Sequence, residues 1–475
     1  MGIRIPQRPP ALVVAVALSL CGACVTAGDA GGRPPTPNIL IIITDDQTRG
    51  LEVMPSVKQL FAREGKRFPN AFATTPLCCP SRASIYSGLY AHNHGVFNNF
   101  EAEDLDQSET IQAALHDAGY RTGLFGKFFN HWDVERAPSY FDEWAMFPAP
   151  RNAAYYEGAE WNVNGEVQEV QEYATGYIEE RGVEFLEATE ASDEQPWLAV
   201  IATTAPHYPF TPEARYADVE VPPWDLNPAV GEKDRRDKPG YVRRADCLRR
   251  CGAQKRAAQL RTLMSVDDLV ERLFGTLDEL GENRDTLAFY LSDNGQMWGE
   301  HGLGDKRVPY LPSIQIPLLM RWPGHIEPST DNRLVANIDV APTVLAATGV
   351  SQPGDRPDGM SLLRGRDRRR LFIEYQREPR IERLPESVRT PPSWRSVVTD
   401  GRQFIGYYAP GGELIGKELY DLREDPWQLD NLFAPSGRAK GKKTSRPELP
   451  VARATLKRLK TILRTDAECT GKTCP

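Results

Sequence analysis

The chain predicts a doubly wound α/β fold, a mostly parallel sheet flanked by helices, with a smaller C-terminal α+β region carrying an antiparallel sheet. Three observations carry this reading. Asn38-Ile39-Leu40-Ile41-Ile42-Ile43 is an unbroken apolar run of strand length, as expected of a strand buried on both faces. Further apolar runs at 120–125, 197–203 and 286–291 alternate with helical patterns. Near 354–370 the texture changes to Pro, Gly and Arg, and short strand-like runs follow.

In order, helical stretches are expected around Val57–Phe61, at Ser81–Tyr90 and at Glu109–Ala118, the last stopped by Gly119. A long amphipathic helix follows, because Leu260, Leu263, Val266, Val270, Leu273, Phe274 and Leu277 recur at helical spacing. In the C-terminal part, 371–375, 396–399, 403–408 and 419–422 read as strands. Asp400-Gly401 joins two of them as a hairpin signal that Arg402 could lengthen, and 451–463 reads as a closing helix. The run Arg364-Gly365-Arg366-Asp367-Arg368-Arg369-Arg370 reads as a solvated linker surface.

At 475 residues the chain exceeds one small core, and its net charge of −8 argues against nucleic acid as a partner. Arg4 and Arg8 precede a short apolar run, 11–20, that fits the core of an export signal. Cys21-Gly22-Ala23-Cys24 partly resembles a lipobox, which would make Cys24 a lipid anchor. Cleavage within 24–27 to give a plain secreted protein is the alternative. Residues 25–36 form a Gly/Pro-rich linker. Of eight cysteines, Cys247 with Cys251 and Cys469 with Cys474 are spaced for local disulfides in an oxidising compartment. Cys78 and Cys79 are left over.

Polar residues fall where such a sheet puts its ligand crevice, at the carboxyl ends of strands. Asp45 and Asp46 follow the first strand, Lys127 the second run, His207 the third, and Asp293 and Asn294 the fourth. Any one of these carboxylates alone is ordinarily a turn or helix cap. Asp45, Asp46, Asp293 and Asn294 offer oxygen, which suits a hard cation, Ca²⁺ or Mg²⁺, over zinc. Cys78 stands near the start of a helix, whose N-terminus favours negative charge.

Cys78-Cys79-Pro80-Ser81-Arg82 resembles the signature of the type I, formylglycine-dependent sulfatases of the alkaline phosphatase superfamily. Thr44-Asp45-Asp46-Gln47, Gly126-Lys127, Ala205-Pro206-His207, Ser292-Asp293-Asn294-Gly295 and 301–307 (HGLGDKR) extend the likeness, as does the 418–422 motif (ELYDL). The resemblance implies that Cys78 is oxidised to formylglycine by a formylglycine-generating enzyme. It implies that Asp45, Asp46, Asp293, Asn294 and the modified Cys78 bind Ca²⁺. Arg82 would hold the aldehyde hydrate, Lys127, His207 and Lys306 would bind the sulfate, and His207 could protonate the leaving group. On this reading the domains are an export signal at 1–24, a linker at 25–36, a catalytic domain at 37–365 and a C-terminal subdomain at 366–475.

Many sulfatases carry His two residues after the Lys of the Gly-Lys motif; here that residue is Phe129. Gly126-Lys127-Phe128-Phe129-Asn130, with His92-Asn93-His94 and Asn98-Asn99, resembles the N-acetylglucosamine-6-sulfatase and extracellular endosulfatase branch. The implied reaction is hydrolysis of a sulfate ester, of a sulfated carbohydrate such as N-acetylglucosamine-6-sulfate. An arylsulfatase, a phosphonate or phosphate ester hydrolase on the same scaffold, and a non-catalytic lipoprotein that binds sulfated glycans are the competing readings. His92 and His94 could line the pocket or bond a helix end, and Trp298 and His301 could reach the sugar.

Overall fold

The computed structural model describes residues 1–2, 36–148, 155–190, 195–351, 354, 357–365, 367–378, 391–433 and 453–475. The expectations for the export signal, Cys24 and nearly all of the linker fall at 3–35, outside the described residues. Residues from Thr36 onward form one unit.

Its centre is a ten-stranded sheet. Asn38–Thr44 lies between Thr286–Ser292 and Trp197–Ala202, parallel to both, and Arg121–Lys127 pairs in parallel with the latter. Side chains of a strand alternate between faces, and here both faces are covered. Ile39, Ile41 and Ile43 enter one core cluster with residues of the Cys78–Ser87 helix, and Leu40 and Ile42 enter the other. The second cluster holds the apolar stripe of Arg249–Leu280, 32 residues long, from Leu260 to Leu277. Burying each of these side chains contributes about 1.5–3 kcal/mol, which makes the strand assignment robust.

The strand and helix expectations are met with shifted ends. The first predicted helix is a short turn, Pro55–Val57, continuing as a π-helical turn at Lys58–Arg63. The next starts at Cys78, three residues earlier than Ser81. Pro80 permits this, since the first turn of a helix needs no backbone donor there. The sheet is more mixed than the apolar runs suggest. Leu318–Arg321 adds antiparallel to Thr286–Ser292, and Ala159–Val163 and Glu166–Val170 extend the other edge as an antiparallel hairpin.

The C-terminal sheet is antiparallel in the order Arg370–Tyr375, Ser393–Thr399, Arg402–Tyr408, Leu414–Asp421. Thr399 pairs with Arg402, so Asp400-Gly401 closes a two-residue turn and Arg402 joins the strand; Gly401 supplies a φ of 95°. The closing helix is Arg453–Asp466. Both expected disulfides form, Cys247–Cys251 and Cys469–Cys474. The basic run departs from a solvated linker: Arg368 is buried in a two-pronged pair with Asp339 (2.7 and 2.8 Å), and Arg370 pairs with Asp466. These arginines fasten the start of the C-terminal sheet to its surroundings.

Candidate active site

The four central strands end in one place. Asp45 and Asp46 leave Asn38–Thr44, with Asp45 N–H bonded to the Ala205 carbonyl (3.1 Å) and Asp46 N–H to Asp293 Oδ1 (3.1 Å). Asp46 has a φ of 72°, a left-handed conformation that costs a non-glycine residue on the order of 1 kcal/mol and is retained where surroundings fix it. Asn294 Nδ2 donates to Asp46 Oδ1 (2.6 Å). Lys127 closes on Asp45 Oδ2, and Lys306 on Asp46 Oδ1.

Cys78 begins its helix facing this cluster. Its Sγ is 2.8 Å from Lys306 Nζ and 3.5 Å from Asp45 Oδ1. Arg82, one turn on, donates from Nε to Asp293 Oδ2 (2.9 Å) and from Nη1 to the Lys127 carbonyl (2.7 Å). His207 donates from Nδ1 to the Tyr208 carbonyl (2.6 Å), which turns Nε2 toward Asp46 Oδ2 at 3.7 Å. The expected residues therefore meet in one buried cluster, where Asp45, Asp46 and Asp293 face Lys127, Lys306 and Arg82.

This crowding sets the protonation states. Burial raises the Cys78 thiol to about 12, with the Asp45 charge adding to it, so an unmodified Cys78 is a neutral thiol at physiological pH. Burial would raise Asp45 as well, but Lys127, His207, Lys306 and Arg82 overcome it and hold the carboxylate far below its usual range. Asp293 goes the other way, to about 6, through burial and the Asp45 charge. Burial lowers His207 despite its two acidic neighbours.

The donor set fits a hard cation. Asn294 Oδ1 is buried with no hydrogen-bond partner, an orphan that a cation would satisfy. Ligating atoms of Asp45, Asp46, Cys78 and His207 all lie within 4.8 Å of one another. Asp293 is more occupied than its sequence position suggests, accepting from two backbone N–H groups and from Arg82.

Several expectations change. Phe129 is fully buried against Tyr86 in the core, so its position contributes no polar group to the site. His131 stacks on Phe100 at 4.6 Å. Cys79 is a spectator that accepts from Asn130 N–H (3.1 Å). His94 is buried and bonded to Ser84 (3.1 Å), and His92 joins Glu374 to the Cys469 carbonyl, so both are structural. Trp298 is buried against Trp224 with its N–H on Gln259, and His301 is buried on Glu232 (2.7 Å).

Three supporting residues, Asn337, Gln259 and Tyr155, escaped sequence reasoning, and a fourth, Asn99, enters it only as part of a family likeness. Asn337 donates to Ser81 Oγ (2.8 Å) and accepts from Thr74 N–H (3.0 Å), clamping the helix start. Asn99 accepts from Cys79 N–H (3.0 Å). Gln259 donates to the Pro206 and Asp46 carbonyls. Its place on the apolar stripe of the long helix was the one available signal. Tyr155 stacks on His207 at 4.9 Å.

Comparison with known proteins accounts for both sheets. The sulfatase family model matches residues 37–350, and the model described as N-sulphoglucosamine sulphohydrolase, C-terminal, matches 299–453. The chain is 30% identical to human N-acetylglucosamine-6-sulfatase, over 99% of this chain and 91% of that protein. It is 33% identical to a putative extracellular sulfatase Sulf-1 homolog of Caenorhabditis elegans, but spans only 48% of that relative's length. In fold it is similar to the solved structure of BT4656 in complex with its substrate D-glucosamine-2-N,6-O-disulfate (TM-score 0.74, 24% identity, 90% of this chain and 97% of that one). It is also similar to a phosphonate monoester hydrolase of Agrobacterium radiobacter (TM-score 0.70, 20% identity, 90% and 95%). With a family model reaching across the sheet and its site-bearing strand ends, and a relative aligned over nearly its whole length, the chain belongs to the sulfatase family.

Proposed function

We propose that this protein hydrolyses the sulfate ester of a sulfated sugar of the N-acetylglucosamine-6-sulfate type. The reaction would take place at Cys78 after its oxidation to formylglycine by a formylglycine-generating enzyme. The observation that carries the reading is Cys78 at a helix N-terminus, 2.8 Å from the Lys306 ammonium and beside three buried carboxylates. A thiol raised to about 12 is a poor nucleophile, which fits a residue that works only when modified. The relatives named as N-acetylglucosamine-6-sulfatases, from human and Bacteroides thetaiotaomicron, cover nearly all of the chain and support the sugar assignment.

Asp45, Asp46, Asp293 and Asn294 would hold Ca²⁺ together with the modified Cys78. When bound, the cation and the hydrated aldehyde would supply an activated hydroxyl for attack on sulfur. The chain's own groups do the rest. Lys127 and Lys306 bring positive charge to the sulfuryl oxygens in a site where burial strengthens it. Arg82 fixes Asp293 and the end of the Lys127 strand. His207, its Nδ1–H held by the Tyr208 carbonyl, presents Nε2 to the bridging oxygen and, in its imidazolium form, would pass the Nε2 proton to the leaving alcohol.

The protein is proposed to be exported, free or anchored by a lipid at Cys24. The disulfides fit an oxidising compartment, and no described helix is long and apolar enough to cross a membrane. The division into a catalytic domain at 37–365 and a C-terminal subdomain at 366–475 is retained as a proposal.

Mass spectrometry of the Cys78 peptide, with parallel assays on N-acetylglucosamine-6-sulfate, an aryl sulfate and a phosphonate ester, tests the reading. Thiol-to-aldehyde conversion with preference for the sugar sulfate is expected. A persistent thiol with sulfated-sugar binding would instead identify a non-catalytic binder.

A further inference from the structure

Lys255 stands apart from the paired cations of the site. It projects from the Arg249–Leu280 helix, one turn after the Cys247–Cys251 disulfide. Its ammonium donates to the Gly304 carbonyl (2.5 Å) and lies 5.5 Å from the Phe210 ring centroid. Among the described residues it forms no ion pair with a carboxylate. It is nevertheless half-buried, and burial lowers its pKa although the charges of Asp305 and Asp46 pull the other way. A half-buried ammonium bonded to one carbonyl retains donor capacity that an anion would use.

The surroundings suit a sugar. Phe210 packs edge-on against Tyr208 (5.6 Å, 89°), and Tyr208 is 61% exposed. The Tyr208 carbonyl is the acceptor that orients His207. Cation and aromatic pair are thus joined by a single residue to the group proposed to serve the leaving oxygen. Gly304 makes the approach possible, because a Cβ there would come within 3.1 Å of Lys255 Cε and 2.7 Å of Cys247 Sγ.

We propose that Lys255, with Tyr208 and Phe210, forms an accessory subsite that binds a second anionic group on the substrate. The inference rests on the sulfatase reading above and narrows it to sugars that carry more than the scissile sulfate. The shared chemistry is an oxyanion, supplied by another sulfate on the same ring or by the carboxylate of an adjoining uronic acid. The competing role for Lys255 is mechanical: through Gly304 it could merely steady the loop that carries Lys306.

Kinetics on three sugars separate these roles: N-acetylglucosamine-6-sulfate, N-sulfoglucosamine-6-sulfate, and the first joined to a uronic acid. Lys255→Gln keeps a donor for the Gly304 carbonyl and removes the charge. It is expected to lower kcat/KM for a doubly anionic sugar, relative to the singly sulfated one, by about tenfold, mainly through KM. Lys255→Arg should restore the ratio. Which ratio moves, that of the N-sulfated or of the uronate-bearing sugar, identifies the source of the anion. An unchanged ratio, including an equal loss on all three sugars, overturns the proposal. If none is hydrolysed, the sulfatase reading fails separately. The subsite is then read by calorimetry on Cys78→Ala protein, where tighter binding of a doubly anionic sugar should vanish with Lys255→Gln. Equal affinities with and without Lys255 would refute it.

Discussion

The ammonium of Lys306 lies 2.8 Å from the sulfur of Cys78 and at the same time closes on Asp46, so one side chain joins the proposed nucleophile to the proposed metal site. Removing it withdraws positive charge from the sulfuryl group and leaves Asp46 without its closest cation. Lys306→Ala is therefore expected to lower kcat by about 10²–10³-fold, the range for losing one preorganised donor to developing charge. Steady-state kinetics check this, with Lys306→Arg as the conservative variant. A loss below about threefold would place the lysine outside the sulfuryl site.

Asn294 Oδ1 is the buried acceptor without a partner, while Asn294 Nδ2 already bonds Asp46 and the Gly295 carbonyl. Chelation is expected to lower both thermal stability and turnover, and Ca²⁺ should restore both, because a cation held at the proposed site would bind the folded chain and not the unfolded one. Asn294→Ala should reduce retained calcium, measured by elemental analysis, and shrink the calcium-induced shift in Tm. An undiminished shift would mean that the cation sits elsewhere.

The strand-end residues were legible because two-sided burial writes an apolar run, and a polar residue directly after such a run stands out. Ile39 to Ile43 followed by Asp45 and Asp46 shows this most plainly. The edge hairpin was not legible, since Glu166–Val170 buries only Val170 and carries little apolar signal. Asn337 and Tyr155 were hidden for a different reason. They reach Ser81 and His207 through tertiary contact across long sequence separations, which no local pattern encodes. His92, His94 and Trp298 show the reverse limit, because spacing brought them near the motifs while packing turned them into structural contacts.

His207 offers Nε2 near Asp46 with Nδ1–H held by the Tyr208 carbonyl, a geometry from which the imidazolium form can hand its Nε2 proton to a leaving oxygen. Proton donation matters most when the leaving alcohol is a poor one. His207→Ala should lose about 10²–10⁴-fold on a sugar sulfate and distinctly less on a nitrophenyl sulfate, whose phenolate leaves unaided. Equal losses on the two substrates would assign His207 to sulfate binding instead.

Glu418 is buried at the inner face of the C-terminal sheet, where it accepts from Tyr407 (2.8 Å), Tyr420 (3.1 Å) and Tyr310 (3.2 Å). Burial raises its carboxyl to about 7, although these hydroxyls and the Lys238 charge pull it down. An acid raised on folding is ionised first in the unfolded chain, so stability falls as pH rises from about 4.5 to 7, by on the order of 3 kcal/mol. Below that window both states are protonated and the effect vanishes; above it the full cost persists. Glu418→Gln keeps a carbonyl acceptor for the tyrosines without the titration. Its Tm should therefore decline less than that of the native chain between about pH 5 and 8, measured by thermal denaturation with Ca²⁺ held constant. Parallel Tm profiles for the two chains would show that Glu418 ionises in the folded protein as it does in the unfolded one.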